Sequence, residues 1–221
     1  MGQAFVRRPG LKRRVGLIER IHESRVLGRR VRVLADLLAA RLPPNARVLD
    51  IGCGDGRIAS TIQRRRPDVQ VEGIDTLVRP NAAIPVRGFD GEAIPFDDST
   101  FDIALCVDVL HHTADPTILL RESTRVARGL LVKDHTREGL FAGARLRFMD
   151  SVGNARHGVA LPYNYWTQAQ WNSAIQNLDL EVEEWTADVP LYPWPASIVF
   201  QSGLHFIALL RRSPRRSARA E

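Results

Sequence analysis

The sequence predicts an α/β fold: a doubly wound, seven-stranded mixed sheet with helices on both faces and a helical cover at the N-terminus. Three observations predict it. Short apolar runs alternate with segments of helical period along most of the 221 residues, as strands joined by crossover helices require. The first of those runs passes into a helix through glycines at 52, 54 and 56. Successive runs then end on or beside Asp50, Asp75, Asp90, Asp108 and Asp134. A parallel arrangement gathers such strand ends along one edge, where open α/β sheets bind ligands.

At the N-terminus, residues Arg7 to Arg32 set Val15, Ile18, Ile21 and Leu27 at helical spacing among Arg and Lys. A second helix carries Val31, Leu34, Leu38 and Leu42 until Pro43 and Pro44 halt it. Arg47 to Ile51 form a buried strand that turns into a helix bearing Ile58, Ala59 and Ile62. Val69 to Ile74 form a second strand, ending at Asp75; beyond it Pro80 and Pro85 leave only Leu77 to Ala82 able to form a helix. Ile84 to Phe89 are a short third strand. Phe101 to Val107 are a fourth, nearly all apolar, as for a strand buried on both faces.

Gly129 to Val132 give the fifth strand, with Lys133, Asp134 and His135 placed in the connection after it. Phe141 to Met149 form a helix with Leu140, Ala144 and Phe148 on one face. The span from Glu138 to Trp166 is expected to cover the ligand edge, with Tyr163, Tyr165 and Trp166 as wall residues. Trp171, Ile175 and Leu178 mark a last helix. Leu180 to Trp185 and Leu204 to Leu210 give the sixth and seventh strands, with an antiparallel edge, separated by a rigid loop containing Pro190, Tyr192, Pro193, Trp194 and Pro195.

The glycine turn lets a ligand approach the backbone closely. It is not the dinucleotide fingerprint, because the third glycine of G-x-G-x-x-G would fall at 57, which is Arg. Asp75 follows the turn by about 20 residues, the spacing at which a carboxylate accepts both ribose hydroxyls of a nucleoside.

Over residues 46 to 135, four features coincide: D-x-G-x-G-x-G from Asp50 to Gly56, the acidic end of the second strand, the segment DGEAIPFDDSTFD and the segment VDVLHH. Together they resemble the class I S-adenosylmethionine (SAM)-dependent methyltransferases of Rossmann-like fold, in the family that includes the ubiquinone and menaquinone C-methyltransferases. The resemblance implies that Gly52, Cys53, Gly54 and Gly56 form the loop around the methionine part of SAM, with Asp50 supporting that loop or the amino group. It further implies Asp75 at the ribose, Thr76 and Leu77 flanking the adenine, Asp90 at the adenine amino group, the Gly91 backbone at the ring edge and Val107 at the sulfonium. The implied reaction is in-line methyl transfer to oxygen or carbon of a small-molecule or lipid-like acceptor, releasing S-adenosylhomocysteine (SAH).

A base is required only where the acceptor starts protonated. His111, His112, Asp134 and His135 face the ligand edge, and His135, oriented by a carboxylate, is the first candidate. Asp108 is read as a helix cap or a SAM contact. No metal is expected, since the paired Asp and Asp-Asn cluster of catechol-type enzymes is missing from the strand ends.

The formal charge is +6, from 31 Lys and Arg against 25 Asp and Glu, and the basic residues cluster outside the central segment. The organisation read is a basic helical cover over residues 1–44, a SAM-dependent domain over 45–210 and a basic tail over 211–221. The cover is either a solvated face or a contact for an anionic membrane surface or an acidic carrier protein. No run of about 18 apolar residues and no signal-type apolar region appears, so a cytoplasmic protein is expected. Cys53 and Cys106 are read as free thiols without zinc spacing. Aromatic residues are not interleaved with the basic clusters and Asn-Pro-Pro-Tyr does not follow the fourth strand, so nucleic acid is not the expected partner. An RNA or protein methyltransferase and a non-catalytic SAM-binding regulator are the alternative readings.

Overall fold

The computed structural model describes residues 28–154, 162–187, 189–194, 197, 200 and 203–213. Its elements run α1 (Gly28–Ala39), β1 (Arg47–Ile51), α2 (Arg57–Arg65), β2 (Gln70–Asp75), β3 (Val86–Gly88), β4 (Phe101–Val107) and a 3₁₀ turn (Leu110–His112). They continue with α3 (Pro116–Val126), β5 (Ala127–His135), α4 (Ala142–Asn154), α5 (Gln168–Asn177), β6 (Leu180–Ala187) and β7 (His205–Arg212).

The seven strands form one sheet in the order β3-β2-β1-β4-β5-β7-β6. Strands β1 to β5 pair in parallel, while β7 runs antiparallel to both β5 and β6. The order reverses between β1 and β4, so their carboxyl ends open a crevice at the switch point.

Strand alternation sends side chains to two cores. Ala104 and Cys106 join Leu49, Ile51, Ile74 and Trp171 on one face. Ile103 and Leu105 join Val48, Leu34, Leu38 and Ile62 on the other. A sheet covered on both faces by helices explains why β4 is apolar at nearly every position. Helix α1 is part of this packing, with Leu34, Ala35 and Leu38 fully buried. The predicted helix through Val15, Ile18, Ile21 and Leu27 lies outside the described residues, as do residues 214–221 of the basic tail and Pro195 of the rigid loop.

Several boundaries differ from expectation. Residues 77–82 form no helix and pass from β2 to β3 through turns, because Pro80 and Pro85 remove backbone donors and restrict the residues before them. Strand β3 is confined to Val86–Gly88. Strand β5 is longer than predicted, since β7 pairs with it from Gly129↔Arg211 to His135↔His205. Asp134 and His135 are therefore strand residues rather than members of the following connection. Helix α4 runs on to Asn154.

Candidate active site

The glycine turn after β1 is held by backbone bonds to the neighbouring strand. Gly52 N and Cys53 N both donate to Ile74 O, at 2.8 and 3.1 Å. Gly54 N donates to Asp75 Oδ2 at 2.7 Å, and Leu77 N to Asp75 Oδ1 at 2.8 Å. Gly52 and Gly54 have φ of +67° and +61°, where a side chain is strained. A Cβ on Gly52 would meet Val109 Cγ2 at 2.6 Å, whereas one on Gly54 would meet nothing within 4 Å. The turn thus packs inward through Gly52 and opens outward at Gly54.

Asp50 lies beneath this turn, almost wholly buried. Burial, and then the charge of Asp75, push its carboxyl up to about 8. Burial also pushes the Cys53 thiol far above its ordinary range, with Asp50 and Asp75 adding to the effect, so it stays protonated. Cys53 and Cys106 are both free. Asp90 Oδ1 accepts from Glu92 N and Ala93 N, each at 2.8 Å, and these bonds hold its carboxyl below the usual range. The Cβ position of Gly91 lies 3.2 Å from Thr76 Cγ2, so the loops after β2 and β3 meet. Leu77 and Val78 are half exposed beside them, and Val107 ends β4 in register with Lys133.

These residues fit the nucleoside and amino-acid ends of SAM. The open face at Gly54 admits a close backbone approach. Asp75 has spent two acceptor sites of about four, leaving capacity for a pair of hydroxyls.

A second constellation sits at the ends of β4 and β5. Asp134, 1 % exposed, lies 2.6 Å through Oδ1 from His111 Nδ1; it also accepts from His135 N at 2.8 Å and Leu110 N at 3.2 Å. His135 Nδ1 is 3.3 Å from the same carboxylate. Burial opposes the charge of Asp134, but the adjacent His111 imidazolium holds the carboxyl below its usual range. Burial opposes protonation of His111 too, yet Asp134 and then Asp150 push it up to about 10. His112 and His135 are depressed, each chiefly by burial and then by a neighbouring cation, His111 and Lys133 respectively.

The cover contributes two further residues. Asn164 N donates to His111 O at 3.2 Å, drawing the segment before α5 onto the 3₁₀ turn. Tyr165 is consequently buried and stacks on His111 with 5.2 Å between ring centroids. Its hydroxyl donates to Asp150 Oδ2 of α4. Tyr163 and Trp166 are half buried in the same segment.

Asp108, read as a helix cap or a SAM contact, caps no helix, since the 3₁₀ turn begins after Val109. Its carboxylate pairs with Lys133 Nζ and with Arg30 of α1, and its φ is +55°. Burial would raise its pKa, but Lys133 and Arg30 bring it well below the usual value. Lys133 Nζ also lies 3.2 Å from His205 Nδ1 of β7. Sequence reasoning missed Arg30, Lys133, Asp150 and His205 as neighbours of the site. A lysine inside the apolar run LLVKDH was a usable signal for Lys133; the other three arrive only through packing.

The sheet order, its glycine turn at the switch point and the acidic strand ends define a class I, Rossmann-like methyltransferase architecture. Residues 22–184 match the family described as a methyltransferase domain, and the chain belongs to the class I SAM-dependent methyltransferase family. It is 31% identical over 121 residues to 27-O-demethylrifamycin SV methyltransferase of Amycolatopsis mediterranei, covering 48% of this chain and 44% of that one. The matched region thus spans less than half the length of that relative. Identity is 32% over 174 residues to a methyltransferase of Mycobacterium sp. (strain KMS), covering 70% and 69% of the two chains. The fold is similar to that of Burkholderia thailandensis 1,6-didemethyltoxoflavin-N1-methyltransferase, solved with its substrate and SAH. There the TM-score is 0.61 at 16% identity, with 96% and 93% of the chains covered. No helix among the described residues is long and apolar enough to cross a membrane.

Proposed function

We propose that this chain transfers the methyl group of SAM to oxygen or carbon of a small-molecule or lipid-like acceptor. The observation that carries this reading is the juxtaposition of two constellations on one sheet edge. Ile51 of β1 pairs with Cys106 of β4, and Cys106 with Val132 of β5. The glycine turn and the imidazole–carboxylate cluster are therefore the carboxyl ends of three adjacent strands. The small-molecule methylation named for the Amycolatopsis and Burkholderia proteins supports the same acceptor class.

Gly52, Cys53, Gly54 and Gly56 would hold the methionine part of SAM above Asp50, with Asp75 on the ribose and Thr76, Leu77, Asp90 and Gly91 around the adenine. Val107 would line the reacting end. SAM supplies an electrophilic methyl whose departing sulfur needs no acid. The protein's contribution is alignment, exclusion of water and removal of the acceptor proton. Asp134 orients both His111 and His135, and His135 is the residue to which the acceptor proton passes. Tyr165 walls the acceptor side.

The test is calorimetric titration with SAM and SAH, followed by transfer of a labelled methyl group to a panel of phenols, quinols, lipids and RNA. We expect binding that Asp75→Ala weakens at least tenfold, about 1.4 kcal/mol, and label in a low-mass acceptor. Label confined to RNA or protein, or failure of the wild type to bind SAM, overturns the reading.

A further inference from the structure

We propose that His111, His112 and Asp150 form a site for one divalent transition-metal cation of the zinc type. Each offers one ligand atom, and these atoms lie within 4.8 Å of one another. The cluster joins the 3₁₀ turn after β4 to helix α4, and Tyr165 packs against it, stacked on His111 and bonded to Asp150.

An independent observation points to a missing ligand. His111 is 3% exposed, and its Nε2 is buried without a hydrogen-bond partner; the same holds for Nδ1 of His112. His111 Nε2 lies 3.4 Å from Asp150 Oδ2, close but outside hydrogen-bond geometry. Donor atoms of a tetrahedral centre with metal–ligand bonds near 2.1 Å stand about 3.4 Å apart. That spacing is the edge of a coordination polyhedron. The third ligand atom, on His112, lies within 4.8 Å of the other two.

The surroundings match those of a metal-bound histidine. Asp134 Oδ1 lies 2.6 Å from His111 Nδ1, which keeps a proton on that nitrogen, so that a cation binding at Nε2 displaces only the second proton of the imidazolium; metal-ligating histidines are usually oriented by a carboxylate in this way. Tyr165 donates to Asp150 and orients the third ligand. The neighbouring set His111, Asp134 and His135 also comes within range, but Asp134 already accepts from Leu110 N and His135 N and partners His111. The lone pairs of its Oδ1 are committed.

Two imidazoles and one carboxylate select zinc, cobalt(II) or iron(II) over magnesium or calcium, which take oxygen ligands. Three protein ligands leave a coordination position open. Resting on the function proposed above, that position would take the acceptor oxygen and lower its proton affinity. Cation binding itself does not depend on that reading. The site differs from the catechol-type carboxylate cluster that the sequence lacks, because its third ligand comes from α4.

The experiment uses the full chain, stripped with a chelator and dialysed, without SAM or acceptor. Zinc is titrated by calorimetry and cobalt(II) by its visible absorption, in wild type, His112→Ala and Asp150→Asn. SAH binding in each variant reports an intact fold. We expect one zinc per wild-type chain, with affinity falling at least tenfold in both variants while SAH binding stays within twofold. A wild type that binds neither zinc nor cobalt(II) overturns the proposal, as does binding undiminished in both variants. The cluster is then an imidazolium held between Asp134 and Asp150. Should a variant also lose SAH binding, the wild-type cobalt(II) spectrum decides. A four-coordinate, nitrogen-ligated signature supports the site, and a six-coordinate aqua-type spectrum overturns it. Metal binding without methyl transfer would overturn only the function proposed above.

Discussion

Gly54 N donates to Asp75 Oδ2 at 2.7 Å, tying the outermost point of the glycine turn to the end of the neighbouring strand. One carboxylate thus braces the loop and remains available to a ribose. Asp75→Ala should cost SAH at least tenfold in affinity and also loosen the turn in the ligand-free protein. Hydrogen exchange at Gly54 and Leu77, both of which lose their acceptor, is the measurement. A variant with weakened SAH binding but unchanged exchange would leave Asp75 a ribose contact alone.

The close packing behind the turn gives a second prediction. A Cβ on Gly73 of β2 would stand 2.8 Å from Cys53 Sγ and 2.9 Å from Ile84 Cδ1. Gly73→Ala should therefore destabilise the protein by about 1–3 kcal/mol through overpacking and displace Cys53. Urea denaturation of Gly73→Ala, Cys53→Ala and the double variant checks this. Adding Cys53→Ala should recover part of the loss, and strict additivity would show that the two positions do not compete for space.

Asp50 makes stability depend on pH. Its carboxyl is raised to about 8 in the fold against about 4 in an unfolded chain. The protonated form is thus the one the fold prefers. The resulting stabilisation is fully present below pH 4 and is lost as pH climbs through 8. Asp50→Asn, neutral throughout, should gain in Tm relative to wild type across that interval and hold a constant difference above it. A difference that shrinks with rising pH would contradict the assignment.

The buried pair behind the site gives a fourth prediction. Lys133 is completely buried and pairs with Asp108, which also binds Arg30. Removing one partner of a buried pair strands the other charge, at about 3–5 kcal/mol. Asp108→Asn suits the test because asparagine tolerates the positive φ. It should be strongly destabilising alone and much less so combined with Lys133→Met, measured as a double-mutant cycle in urea. Equal losses in the single and double variants would place the cost in Asp108's other contacts.

How much of this was legible in the sequence follows from the range of each interaction. The glycine turn, the apolar β4 and the acidic strand ends are local patterns, and the period of side-chain burial wrote them into contiguous residues. They were enough to bring Asp50, Gly52, Gly54 and Asp75 together on one edge of the sheet. The missing helix after β2 was foreshadowed by Pro80 and Pro85, since proline acts on its own backbone. The extent of β5 was not legible, because it depends on pairing with β7, some seventy residues later, which turns Asp134 and His135 from loop residues into strand residues.

The partners of the buried charges at the ends of β4 and β5 were decided by tertiary structure alone. Asp150 reaches His111 only because α4 packs over the sheet edge, and Arg30 reaches Asp108 only because α1 lies against it. A charged residue reads as solvated in sequence unless its distant counter-charge is known, and burial in low dielectric is what turns that counter-charge into a requirement. By itself the sequence determined the sheet, its carboxyl edge and the glycine turn. Folding decided which buried charges meet, and with them the chemistry available to the acceptor.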